Sequence, residues 1–226
     1  MMKQATCIAA VGVLALAGTT IADDLYPPPW RGENRSIYQY WEFGADQRQL
    51  SPDGWNHFCP GLTPDQPTAN LDSNWVFHDD YAGTGRDGFE GNAADAVLRF
   101  DLPNCPDEEP YKLIELQLLW APGATAVPGI DVVALKNGDN VPFAEVGQID
   151  TITHADDPLV PENFVMTVAS FRIEPNPDWE QITMEFSSAD FIDQVVIDTI
   201  STPEPASLAL LGVGGLAVLH RRRRRV

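Results

Sequence analysis

Basic side chains are scarce in this chain of 226 residues, where 14 Lys and Arg face 33 Asp and Glu. Six of the 14, Lys3 and Arg221 to Arg225, stand at the two extremities, so the body between them is more acidic than the formal charge of −19 suggests. Such a body repels nucleic acid and anionic headgroups, which excludes nucleic-acid partners. It suits solubility in salty surroundings or cation binding, a solvated acidic surface being the simpler reading. Histidine is nearly as rare, with His57, His78 and His154 the only ones before His220. Each falls in or beside an expected loop. The sequence lacks a Gly-x-Ser-x-Gly elbow, a His-Glu-x-x-His pair, a P-loop and a dinucleotide-binding fingerprint. Amphipathic helical patterning is scarce, and no repeat or low-complexity linker divides the body. Wholesale disorder is excluded, because 44% of the residues are hydrophobic and that is enough for a core.

Long apolar runs occur only at the ends. Lys3 opens a short basic stretch, and Ala5 to Gly18 (ATCIAAVGVLALAG) forms an apolar run of signal-peptide length. Thr20-Ile21-Ala22 places small residues at the −3 and −1 positions, so residues 1–22 read as a secretory signal peptide cut after Ala22. Thr19 stands where a lipoprotein leader would carry its cysteine. At the other end, Ala206 to Leu219 (ASLALLGVGGLAVL) precedes His220 and five arginines. As a helix this run covers about 21 Å against roughly 30 Å of bilayer hydrocarbon, a short span. The arginine block stays cytoplasmic by the positive-inside rule, which puts Pro203-Glu204-Pro205 on the outer side. The two prolines keep that approach extended.

Pro203-Glu204-Pro205, a short Gly/Ala/Leu-rich helix and a terminal basic cluster, in that order, resemble the PEP-CTERM sorting signal. The resemblance covers about 26 residues and implies an exosortase that recognises the motif and cleaves near it during export. It implies transient anchoring in the inner membrane, then a place at the outer surface or in the extracellular matrix. The chain therefore divides into a signal peptide (1–22), an ectodomain (23–200) and a sorting signal (201–226).

Cysteine is also sparse. Cys7 lies in the leader, leaving Cys59 and Cys105, and two cysteines in an exported domain suggest one disulfide, with two free thiols as the alternative. Residues 44–74 are crowded with Pro, Asp, Asn and Gly and read as one long loop or several tight turns. Beyond them, short runs of β character alternate with turns. Strands are expected over 37–43, 75–78, 96–100, 112–120, 130–136, 143–152, 163–173, 181–186 and 191–199. Ile114, Leu116, Leu118 and Trp120 share one face, and Ile182, Met184 and Phe186 another. Period-two patterning broken by Asn137-Gly138 and by residues 175–178 argues for an all-β antiparallel sandwich, of jelly-roll type. The stretch from Phe191 to Asp198 is similar to the closing strand of carbohydrate-binding-module-like sandwiches.

Among chemical candidates, Asp79, Asp80, Asp87 and Glu90 lie in an acidic, glycine-rich loop able to wrap calcium, which prefers clustered oxygen ligands. The spacing is not that of an EF-hand, and a solvated turn is the simpler reading. Asp156-Asp157 and Asp190/Asp193 are lesser candidates. Zinc held by His57 and Cys59 would need two more ligands, and a disulfide explains Cys59 better. Trp30, Trp55 and Trp179 lie in or beside Pro-rich loops, where rings can stack on sugars, whereas Trp41, Trp75 and Trp120 read as core. The expectation is a non-catalytic exported surface or matrix protein without a resident cofactor. A calcium-dependent carbohydrate-binding module and a secreted polysaccharide-active hydrolase are the alternatives.

Overall fold

The structure is a computed structural model that describes residues 24–202, apart from 62–63, 94, 106–108, 124–126, 137–138, 141–144 and 155–158. The leader, Asp156-Asp157, the Pro203-Glu204-Pro205 motif, the apolar run 206–219 and the arginines lie outside the described residues. Among the described residues, no helix is long and apolar enough to cross a membrane.

Fourteen strands follow one another among the described residues: β1 (Ser36–Glu42), β2 (Gln49–Leu50), β3 (Gly54–His57), β4 (Thr68–Leu71), β5 (Trp75–His78), β6 (Gly88–Gly91), β7 (Ala96–Pro103), β8 (Tyr111–Ala121), β9 (Gly129–Lys136), β10 (Asp139–Asn140), β11 (Glu145–His154), β12 (Val165–Glu174), β13 (Trp179–Phe186) and β14 (Phe191–Thr202). Their pairings are antiparallel. One sheet runs β11-β12-β8-β14-β1-β3, with the β5–β6 hairpin attached to the start of β14; the other runs β10-β9-β13-β7-β4-β2. Every stretch expected to be a strand holds one. The stretch from 44 to 74, expected to be loop, holds β2, β3 and β4 as well. Those three strands have little β propensity of their own; β3 and β4 form because β1 and β7 offer unpaired edges, and β2 then adds to the edge of β4.

The pleat sends alternate side chains to opposite faces, and the core is what the two inner faces share. Ile114, Leu116, Leu118 and Trp120 of β8 meet Ile182, Met184 and Phe186 of β13 in one buried cluster. Trp41, Trp75 and Trp120 are all buried there. Trp75 and Trp120 donate their indole N–H groups to the Val97 carbonyl and the Thr167 hydroxyl, at 3.0 and 3.1 Å.

β14 is buried on both faces along almost its whole length. Its outer face is covered by residues from three distant segments. Leu25 and Tyr26, Tyr81, and Val160 with Phe164 pack with Phe191, Leu119 and Met166 into a second small core. The segment Asp24 to Arg35 straps across this face. The Gln117 side chain of β8 accepts from Tyr26 N at 3.1 Å and donates to Tyr26 O at 3.0 Å, pairing with the strap as a neighbouring strand would.

Cys59, just after β3, is bonded to Cys105, just after β7, with Cα atoms 5.3 Å apart. The bridge ties one sheet to the other. Beside it Asn104 accepts from Ser201 Oγ at 2.8 Å and donates to Asn176 Oδ1 at 2.6 Å, holding the last turn of the sheet shut.

Candidate functional site

The β5–β6 hairpin carries the acidic loop. Asp80 sits in the left-handed region (φ 61) and its carboxylate accepts from Gly85 N at 2.5 Å, while Asp87 accepts from Asp80 N at 3.0 Å. Glu90 faces His78, with Oε2 3.1 Å from Nε2. Asp79 is exposed. Two of the four carboxylates thus brace the turn and a third pairs with an imidazole. Among the described residues, no group of three His, Cys, Asp or Glu side chains is placed to hold a metal ion. Gly83-Thr84-Gly85-Arg86-Asp87-Gly88 does have G-x-G-x-x-G spacing, but it closes an antiparallel hairpin and opens no helix, so it lacks the strand-turn-helix setting of a dinucleotide fold.

The other candidates are likewise committed to structure. Asp190 is buried and accepts from Gly123 N and Ser187 N at 2.9 and 2.8 Å. Asp193 pairs with Arg86, and that guanidinium also covers the Phe164 ring. Cys59 is spent in the disulfide, and the His57 ring lies tilted against Trp55 at a centroid distance of 5.2 Å. His154 stacks on Tyr26 at 4.2 Å. Trp30, Trp55 and Trp179 are all half-buried, the last inside β13.

An open groove lies at the β1–β3 edge, and sequence reasoning missed it. It encloses about 570 Å³ and is lined by Glu42, Gln47, Gln49, Leu50, Ser51 and Asp53, among others. Asp53 closes the turn into β3: its backbone N–H donates to Tyr40 O at 2.9 Å, and its carboxylate accepts from Glu42 N at 2.6 Å. Tyr40 lies beside these carboxylates, opposite Gly54. A Cβ at position 54 would overlap the Tyr40 ring. Glycine there lets the ring lie flat across the neighbouring strand, and Tyr38 continues the aromatic row at a centroid distance of 5.8 Å. Burial, then the Glu42 and Asp53 charges, hold the Tyr40 phenol above its ordinary range, so it stays a hydrogen-bond donor. A flat ring beside amide, hydroxyl and carboxylate groups is complementary to a polyhydroxylated ligand. The signal in the sequence was faint: a tyrosine and a glycine fourteen positions apart, which only the β1–β3 register puts together.

Under the strap lies a carboxylate pair, Asp198 of β14 opposite Glu115 of β8. Arg31 meets Asp198 in two hydrogen bonds of 2.7 and 2.5 Å, reaches Asp24 as well, and lies 4.2 Å from the Tyr38 ring centre. Burial outweighs Arg31 and pushes Asp198 up to about 6. Burial, then the Asp198 charge, push Glu115 up to about 7. A carboxyl whose pKa is raised in the fold stabilises fully below its unfolded value and loses that contribution as pH rises through the folded value. The groups facing Asp198 are Arg31 and Asp24 from the strap, Glu115 from β8 and Tyr38 from β1. We therefore expect the melting temperature to climb as pH falls from about 7 to below 4, with Asp198 contributing about 3 kcal/mol over the whole span. For a domain of this size that is roughly 5–10 °C, and calorimetry across the range checks it. A midpoint that falls steadily over the same interval would contradict the assignment.

Residues 201–225 match the family model described as the PEP-CTERM protein-sorting motif. No curated protein matches the chain. A motif of this kind marks an exported protein that passes through the membrane and is processed by an exosortase.

Proposed function

We propose that this is a non-catalytic protein of the outer surface or extracellular matrix, delivered by the secretion machinery and trimmed by an exosortase at its C-terminal motif. The match over residues 201–225 carries the reading. β14 is described as far as Thr202, the residue before Pro203, so the folded ectodomain adjoins the sorting motif directly in sequence. The strand order supports a jelly-roll closure, with β1-β14-β8-β12 in one sheet and β7-β13-β9-β10 in the other. Replacing Glu204 by alanine, or deleting residues 221–225, should leave full-length protein in the membrane fraction, where the native chain yields a shorter, released or surface-bound form. Unchanged processing in both variants, read by immunoblot of cell fractions, would remove this reading.

The Glu42–Asp53 groove, with the Tyr40 ring beside its two carboxylates, favours a second reading, that of a carbohydrate-binding module acting on extracellular polysaccharide. Binding to bacterial and algal polysaccharides, measured with calcium and with chelator, tests it. Loss of one stacking ring costs about 1–3 kcal/mol by analogy with base–aromatic stacking. Tyr40→Ala should thus weaken binding about tenfold or more, and Asp79→Ala on the β5–β6 hairpin, outside the groove lining, should leave it unchanged. Equal binding by wild type and Tyr40→Ala would move the ligand elsewhere.

A further inference from the structure

One ionisable pair crosses the core between the two sheets. Lys112 enters from β8 and Glu180 from β13, and neither side chain has any exposure. The Lys112 Nζ lies 2.5 Å from Glu180 Oε1, and neither group has a hydrogen-bond partner outside the pair. Their surroundings are apolar. Lys112 stands between Ile173 and Ser201 in register, and Glu180 between Leu102 and Ala134. The polar groups closest in sequence register are already engaged, since Ser201 donates to Asn104, whose amide donates to Asn176 and to the Pro177 carbonyl.

Two full charges at this depth are costly, and a buried pair without further hydrogen bonds does not recover its desolvation. The charge-free alternative is an amine beside a carboxylic acid. Burial acts in that direction on both partners, lowering Lys112 and raising Glu180 to about 7 against the pull of their mutual attraction. A neutral amine is a nucleophile and a protonated carboxyl is an electrophile. In bulk water their condensation is opposed by ionisation and by excess water. Inside a dry core both of those terms are removed.

We propose that Lys112 and Glu180 condense into an intramolecular isopeptide bond. The neutral Nζ attacks Cδ of the protonated Glu180 carboxyl and a C–N bond forms. The C–OH bond then breaks, and its hydroxyl leaves with one amine proton as water. The product is a neutral secondary amide, with no oxidant, reductant or cofactor consumed. It replaces two unsatisfied ionisable groups by a single N–H and a single C=O. It also joins the sheets at the end of the sandwich from which the chain passes to the sorting motif, because Lys112 lies opposite Ser201. On the surface role proposed above, any pull on the anchored chain would enter at this end, and an amide holds under reducing conditions in which the Cys59–Cys105 bridge would open.

Mass spectrometry of the processed protein, denatured and reduced, with both termini determined, tests this directly. The expected result is a whole population one water lighter than its sequence, with trypsin failing to cut after Lys112 and one branched peptide joining Lys112 to Glu180. Glu180→Ala and Lys112→Arg should restore the full mass. Lys112→Met with Glu180→Leu fills the same space with apolar groups and supplies a folded, full-mass control. An unmodified mass for the folded native protein overturns the proposal. Loss of ammonia mapping to Asn104 overturns the assignment to Glu180.

Discussion

Replacing Cys59 and Cys105 together by serine is expected to lower the stability of the ectodomain by about 4 kcal/mol, the chain-entropy value for a closed loop of this length. The bond spans a sequence separation of 46, and it joins β3, an edge strand, to the end of β7 in the opposite sheet. The unfolded chain gains most of the freedom released, so the effect needs no change in the native packing. β3 makes the loss worse. It has four residues and one neighbour, β1, and without the bridge it is the strand most ready to fray. Urea titration of the double variant should show a lower midpoint and a steeper dependence on denaturant, since its unfolded state exposes more surface. Adding reductant to the native protein should reproduce the shift. A midpoint unmoved by both treatments would show that the loop from 60 to 104 is held by its own packing.

Phe100→Ala should cost as much or more, about 3–5 kcal/mol. Phe100 is fully buried on β7, and its ring meets Trp41 of β1 at a centroid distance of 4.7 Å and 58°. The pair bridges the two sheets, so truncation removes apolar burial, an aromatic contact and the support of the Trp41 indole in one step. The neighbouring Arg99 points outward and is exposed, and Arg99→Ala should stay within about 0.5 kcal/mol of wild type. Marginal domains hold roughly 5–15 kcal/mol in total, so Phe100→Ala will tend to leave a protein that is degraded during export. Equal midpoints for the two alanine variants would mean that the core collapses around the gap.

The difference between positions 99 and 100 could be read without coordinates. Alternation along β7, β8 and β13 is a local property of the pleat, and Phe100, Ile114, Leu116, Ile182 and Met184 all point where that alternation sends them. Local chemistry was insufficient at the edges. Gly54-Trp55-Asn56-His57 and Thr68-Ala69-Asn70-Leu71 have the composition of turns, and they become strands because a long neighbour presents unpaired N–H and C=O groups. The placing of Tyr40 over Gly54, beside the groove, depends on that same pairing.

The polar residues of the strands show the boundary most clearly. Alternation puts Gln117 and Asp198 on the outer face of their strands and Lys112 and Glu180 on the core face, and nothing adjacent says what covers the first two or what the last two meet. Asp198 is buried because Arg31 arrives from 167 positions away, and Gln117 because the strap arrives from 91. Lys112 and Glu180 point into the core because β8 and β13 occupy facing sheets. The sequence alone determined the residues of the sorting motif, the β class and the face of each long strand, since prolines, charge blocks and period-two alternation act over a few residues. Only the tertiary structure decided which strands are neighbours, which faces are covered and which polar groups meet, because these depend on contacts between segments far apart in the chain, whose encounter no local pattern encodes.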